Sequence, residues 1–357
     1  MPTNPAASLP PTLVYGAGAV GCLLGGLLAA AGAPVTLLAR PGAADAVREH
    51  GLRLVRPTGE RRVHLPVTTS LDALPSPPAL VLLTIKADAV PAALPDLRRL
   101  AGAGAAIVTL QNGVGTEETV RAALGSAARL AAGVVTVSVV RSDPATVRQE
   151  TAGGVALAPV QGDVPLDRLA AALTAAGLPT SHAPRYPDLK WSKLLLNMMA
   201  NATAALLALP PAAIYGDPPL FQVERAAFIE ALAVMLGAGV QPIALPGFNV
   251  PLLVHVMRLP APIARRLVAR RAARGRGEKR PSLWLDLDRG RGTTEVRWLN
   301  GAVADQGARL GIPTPVNARL TALVEEATRD PAFRRALAGQ PAALLAALAA
   351  TDSGAQA

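Results

Sequence analysis

One short stretch fixes most of what this chain can become. Thr12–Tyr15 reads as a strand and runs straight into Gly16-Ala17-Gly18-Ala19-Val20-Gly21. An apolar helix over 22–31 follows, stops at Gly32, and gives way to a second strand over 34–39. A Gly-x-Gly-x-x-Gly run says little alone. Between a strand and a helix it marks a βαβ unit that holds a dinucleotide. The first glycine makes the turn, the second admits a pyrophosphate, and the third lets helix and strand pack closely. The helix N-terminus then faces the phosphates with free N–H groups. Gly16, Ala17, Gly18, Ala19, Val20 and Gly21 are therefore the expected cofactor-binding residues.

Further strands are predicted over 52–55, 79–84, 106–110 and 132–140, with helices over 43–50 and 89–100. Such alternation implies an α/β domain with a doubly wound, mainly parallel sheet. Segments 146–149 and 154–158 read as a small hairpin, 166–176 as a helix and 178–182 as a last strand. From about Tyr186 strands vanish, and helices are predicted over 189–207, 219–237, 250–273, 281–287, 294–310 and 316–330. The expected organisation is a disordered tail over 1–11, an NADP-binding Rossmann domain over 12–184, a helical catalytic domain over 185–340 and an Ala-rich tail over 341–357.

Ligands of open α/β sheets sit at the carboxyl ends of the strands. At the end of the second strand an NAD-preferring site carries an acid; here Arg40 stands instead, with no acid before Asp45. A carboxylate repels a 2′-phosphate and a guanidinium binds it, so NADPH is the expected cofactor. Lys86, after the strand over 79–84, and Asn112, in Gln111-Asn112-Gly113-Val114-Gly115, are placed to meet cofactor or substrate.

In the helical half, Lys193, Asn197 and Asn201 recur every four residues and would line one face of a helix, flanked by apolar Leu194, Leu195, Met198 and Met199. The whole chain has four lysines, Lys86, Lys190, Lys193 and Lys279, all other strong bases being Arg. An ammonium can give up a proton where a guanidinium cannot, which singles out Lys193. Ser282 reads as an N-cap or a polar site residue, and Glu295 as a first-turn acid or a catalytic partner. Leu299, Val303 and Leu310 define the buried stripe of the helix over 294–310.

Composition narrows the class. At 357 residues, 51% hydrophobic and 17% charged, the chain is globular and long enough for two cores. Cys22 is the single cysteine, excluding an internal disulfide and suiting a cytoplasmic location; it reads as a small buried residue. No apolar run reaches membrane-spanning length, and no metal-ligand cluster is legible. The net charge of +10 is concentrated in segment 265–280, which lacks the aromatics that stack bases. Nucleic acid is therefore not an expected partner.

Taken together the motifs resemble the ketopantoate reductase family. They are the Gly16–Gly21 turn, Thr84-Ile85-Lys86, Gln111 to Gly115, Lys193-x-x-x-Asn197-x-x-x-Asn201, Ser282, Thr294-Glu295 with Asn300-Gly301, and Gly311-Ile312-Pro313-Thr314-Pro315. The resemblance implies a Rossmann domain followed by an all-α domain, NADPH as hydride donor and a 2-keto acid as substrate. It implies Lys193 as proton donor, Glu295 beside it and the cofactor, and Asn197, Asn201 and Ser282 on the substrate. Lys86 and Asn112 would line the nicotinamide side. The expected partner is a small 2-keto acid, without membrane, and a homodimer is compatible. A dehydrogenase of another 2-hydroxy acid or an opine is the alternative enzyme, and a non-catalytic NADP sensor the alternative class.

Overall fold

The protein is described by a computed structural model covering residues 5–74, 76–275, 280–290 and 292–350. It divides into two compact units, Met1–Lys193 with Ala244–Phe248, and Leu194–Ile243 with Asn249–Ala357. Among the described residues no helix is long and apolar enough to cross a membrane.

The first unit carries strands β1 (Thr12–Tyr15), β2 (Val35–Leu38), β3 (Leu52–Arg56), β4 (Gly59–Val63), β5 (Val67–Thr68), β6 (Leu80–Leu83), β7 (Ala106–Thr109), β8 (Arg129–Val135), β9 (Val139–Asp143), β10 (Thr146–Gln149), β11 (Val155–Gln161) and β12 (Thr180–His182). Helices α1 (Ala19–Ala30), α2 (Pro41–His50), α3 (Val90–Gly102), α4 (Thr116–Leu124) and α5 (Leu166–Ala175) intervene. The main sheet runs β12-β11-β8-β7-β6-β1-β2-β5 and is parallel except where β11 meets β8. This is the expected doubly wound, mainly parallel sheet.

A second sheet, β4-β3-β10-β9, was not anticipated. The segment expected as one strand over 132–140 breaks after Val135, so β8 stays in the main sheet and β9 enters the second. The supposed hairpin divides the same way: β10 pairs with β9 and β3, β11 with β8 and β12. The second sheet packs on α1, where Leu52 and Leu54 press so closely that a Cβ on Gly26 would come within 2.9 Å of their methyls. Every residue of α1 from Gly21 to Leu28 is consequently buried, which is why this helix shows no amphipathic stripe. Ala6 and Leu9 are also buried in this core, so the segment expected as a disordered tail packs from Pro5 onward; residues 1–4 lie outside the described ones.

Helix α6 (Tyr186–Met198) holds the division between the units, at Lys193/Leu194. Its beginning belongs with the sheet unit because Lys190 bonds into it. The second unit continues as α7 (Ala202–Leu207), α8 (Pro211–Gly216), α9 (Pro218–Gly237), α10 (Val250–Arg258), α11 (Ala261–Gly275), α12 (Ser282–Asp288), α13 (Asn300–Leu310), α14 (Pro315–Arg329), α15 (Pro331–Leu337) and α16 (Pro341–Ala349). The helix expected over 250–273 is two, because Pro260 lacks an N–H and forces Leu259 into extended backbone, with ψ 162°. Of the stripe expected on α13, Leu299 and Val303 are buried but Leu310 is 38% exposed. Part of the basic segment, 276–279, and the end of the Ala-rich tail, 351–357, lie outside the described residues.

Candidate active site

In the first unit, the end of β6 packs on the glycine turn through Thr84 and Ile85. Gly16 has φ +120°, and a Cβ there would meet Ile85 Cγ2 at 2.8 Å. A Cβ on Gly21 would fall 2.0 Å from the Gly16 carbonyl oxygen. At Gly18 a Cβ would meet only the Thr84 carbonyl, at 4.0 Å, so the turn opens onto free space at its middle glycine. Gly18 caps α1 with no side-chain bond, and the first turn holds no acid. A helix start bare of caps and carboxylates, beside room left by a missing side chain, fits a dinucleotide phosphate. Thr84 secures the turn by donating its hydroxyl to the Gly16 carbonyl at 2.7 Å.

Arg40 is exposed at the N-cap of α2, directly beyond β2. Lys86 is half-buried and opens a 3-10 turn, Ala87–Ala89, after β6. Asn112 is exposed in the 111–115 turn, where Gly113 (φ 82°) and Gly115 (φ 101°) adopt left-handed backbone. Cys22 is buried, donates to the Ala17 carbonyl, and burial pushes its thiol up to about 11. It is the small core residue expected.

Two residues of this unit were missed by sequence reasoning. Arg141 of β9, one residue past the strand expected over 132–140, donates to the Ala17 carbonyl of the glycine turn. Lys190 stands one helical turn before Lys193 and is 2% exposed, its ammonium 2.9 Å from the carboxylate of Glu117, itself 1% exposed. It also donates to the Gln111 carbonyl at 2.6 Å. The scarcity of lysine had marked Lys190 but gave no hint of its partner.

Lys193 is half-buried and is the last residue of the first unit. Asn197, Asn201, Ser282 and Glu295 belong to the second unit. There the expected continuous helix over 189–207 is broken. Helix α6 ends at Met198, Ala200 takes φ +49°, and Asn201 becomes the N-cap of α7. The three polar residues thus do not share one straight helical face. A buried alanine in left-handed backbone costs about 1 kcal/mol or more, and Glu224 of α9 holds it there. One carboxylate oxygen accepts the Ala200 N–H and the other the Thr203 hydroxyl, both at 2.6 Å.

The break turns the Asn201 side chain toward Ser282. Its amide donates to the Asn197 carbonyl at 3.0 Å and to Ser282 Oγ at 3.2 Å. Its oxygen accepts the Leu283 N–H at 3.1 Å, near the start of α12. The Asn201 and Ser282 side chains are therefore brought together beside the backbone carbonyl of Asn197, with Pro281 rather than Ser282 as the N-cap. Glu295 is buried in the 3-10 turn Glu295–Trp298 that precedes α13.

Burial pushes the Glu224 carboxyl up to about 7 against the opposing pull of its two hydrogen bonds. A folded value above the ordinary 4.5 means that the folded chain holds this proton where the unfolded chain has lost it. The associated stability is complete below about pH 4.5 and is lost as pH rises to 7, amounting to about 3 kcal/mol. Melting temperatures of the wild type should fall between pH 5 and pH 8 by several degrees more than those of Glu224→Gln. Parallel curves would show that Glu224 is ionised throughout.

The sequence matches the family of ketopantoate reductase PanE/ApbA over residues 12–162, and its C-terminal domain over residues 187–328. The chain belongs to the ketopantoate reductase family. The 2-dehydropantoate 2-reductase of Halobacterium salinarum is 31% identical over 321 residues, covering 89% of this chain and 99% of that protein. A PanE/ApbA family ketopantoate reductase from Ralstonia eutropha superposes with a TM-score of 0.75 at 30% identity, over 89% of this chain and 99% of its own. The fold is also that of D-mandelate dehydrogenase, solved with NADH, with a TM-score of 0.73 at 20% identity over 89% of this chain and 98% of that one. Both halves of this chain, the mixed sheet unit and the helical unit, are thus those of this oxidoreductase family.

Proposed function

We propose that the chain reduces 2-dehydropantoate to pantoate with NADPH, a step toward pantothenate and coenzyme A. The observation that carries this reading is the Asn197–Asn201–Ser282 cluster, one helical turn beyond a scarce lysine, in a chain whose glycine turn is open at Gly18. Bound NADPH supplies the hydride. As charge develops on the carbonyl oxygen, the Lys193 ammonium stabilises and then protonates it. Glu295, buried in the 3-10 turn before α13, is the acid that this reading assigns to the reaction. Ser282 and Asn197 receive the substrate carboxylate and hydroxyl. Asn201 already commits both amide N–H groups to Asn197 and Ser282, so in this reading it positions them. The Ser282 hydroxyl, an acceptor toward Asn201, keeps its own proton for a substrate oxygen.

Arg40 at the β2 end supports the 2′-phosphate preference, with Lys86 and Asn112 on the nicotinamide side. The test is a panel of 2-keto acids, including ketopantoate, pyruvate and phenylglyoxylate, run with NADPH and with NADH. Ketopantoate with NADPH should give the highest kcat/KM, and Arg40→Glu should weaken NADPH more than NADH. Ketopantoate performing no better than pyruvate would assign the chain to another 2-keto acid. Equal losses for the two cofactors would return Arg40 to the solvated surface.

A further inference from the structure

A buried polar chain in the first unit has no part in the proton and hydride chemistry. Lys190 on α6 pairs with Glu117 on α4 at 2.9 Å and donates to the Gln111 carbonyl at 2.6 Å. Glu117 also accepts the hydroxyl of Thr109, the last residue of β7, at 2.7 Å. The Gln111 amide crosses to the neighbouring strand end, donating to the carbonyls of Leu83 at 2.8 Å and Ile85 at 3.0 Å. Ile85 in turn is packed against Gly16. The series thus runs from α6, across the carboxyl ends of β7 and β6, to the glycine turn.

Ion pairs this deep are not a stability device. Removing both charges in favour of apolar side chains of like volume is commonly neutral or stabilising, whereas removing one leaves the other stranded. What a buried pair with further hydrogen bonds can supply is a single geometry. This pair sets two things at once. It holds the 111–115 turn, which carries Asn112, and it fixes the rotation of α6 three residues before Lys193.

We propose that Lys190 is a positioning residue of the reaction, orienting the Asn112 turn and the Lys193 side chain through its bonds to Glu117 and Gln111. The proposal rests on the reading of Lys193 as proton donor. Small misplacements of a catalytic group lower turnover steeply even where the fold persists.

The test compares wild type, Lys190→Met, the double variant Lys190→Met with Glu117→Met, and Lys190→Arg. Melting temperature, NADPH Kd by fluorescence, and kcat and KM for ketopantoate are measured on each. Lys190→Met should melt well below wild type, since Glu117 is left without its counter-charge. The double variant should recover most of that melting temperature and bind NADPH nearly as wild type. Its kcat should nevertheless remain roughly ten- to a hundredfold low, with KM little changed. A purely structural pair would return kcat together with melting temperature, and that result overturns the proposal. Should the double variant not fold, Lys190→Arg decides. It keeps a charge against Glu117 with a differently shaped head and is expected to melt near wild type with lowered kcat; wild-type kcat would overturn the proposal. Wild-type enzyme inactive on every 2-keto acid would instead sink the functional reading, and this inference with it.

Discussion

Replacing Lys193 by alanine is expected to lower turnover of the keto acid by roughly two to four orders of magnitude, the usual worth of a positioned acid. NADPH binding should stay nearly intact, because the proposed function assigns the cofactor to the glycine turn and the β2 end and not to that side chain. The reasoning is local. Hydride delivery leaves charge on the substrate oxygen, and an ammonium both stabilises and discharges it. Stopped-flow hydride transfer with an NADPH titration separates the outcomes. Loss of both activities would make Lys193 a structural residue, and loss of neither would assign the proton to another group.

Gly21→Ala is expected to abolish NADPH binding and to cost at least about 3 kcal/mol of stability, at the upper end for overpacking. Its Cβ would lie 2.0 Å from the Gly16 carbonyl oxygen and 2.5 Å from Thr84 Oγ1. The first contact is backbone and cannot swing aside. Gly18→Ala is the control: its Cβ meets only a carbonyl at 4.0 Å, so the fold should persist while cofactor affinity falls. Calorimetry and NADPH titration of both variants read the difference. Normal NADPH affinity in Gly21→Ala would remove the turn from the binding site.

The main sheet was legible in the sequence because each of its central strands is a short apolar run ending in a polar or glycine-rich turn. The second sheet was not. Its strand β4 is Gly-Glu-Arg-Arg-Val, almost wholly exposed, so no alternation of apolar residues announces it. Strands β8 and β9 read as one because the apolar run continues through Val137, which is buried although it lies between the sheets. The helix break at Ala200 carried no local signal either. Alanine is the strongest helix former, and the cause lies on α9, where Glu224 supplies the competing acceptor. Sequence spacing accordingly placed Lys193, Asn197 and Asn201 on one line. The union of Asn201 with Ser282, 81 residues away, came from that break.

Helix α1 is enclosed by a sheet on either side, with no solvent-facing residue between Gly21 and Leu28. Selection and engineering therefore have no free positions from Gly21 to Leu28, where a larger side chain meets packed neighbours. Under the proposed function, adjustment of coenzyme choice falls to the periphery, at the exposed end of β2. Changing the nicotinamide coenzyme preferred by this scaffold is thus a problem in loop chemistry, with the buried part of the helix fixed.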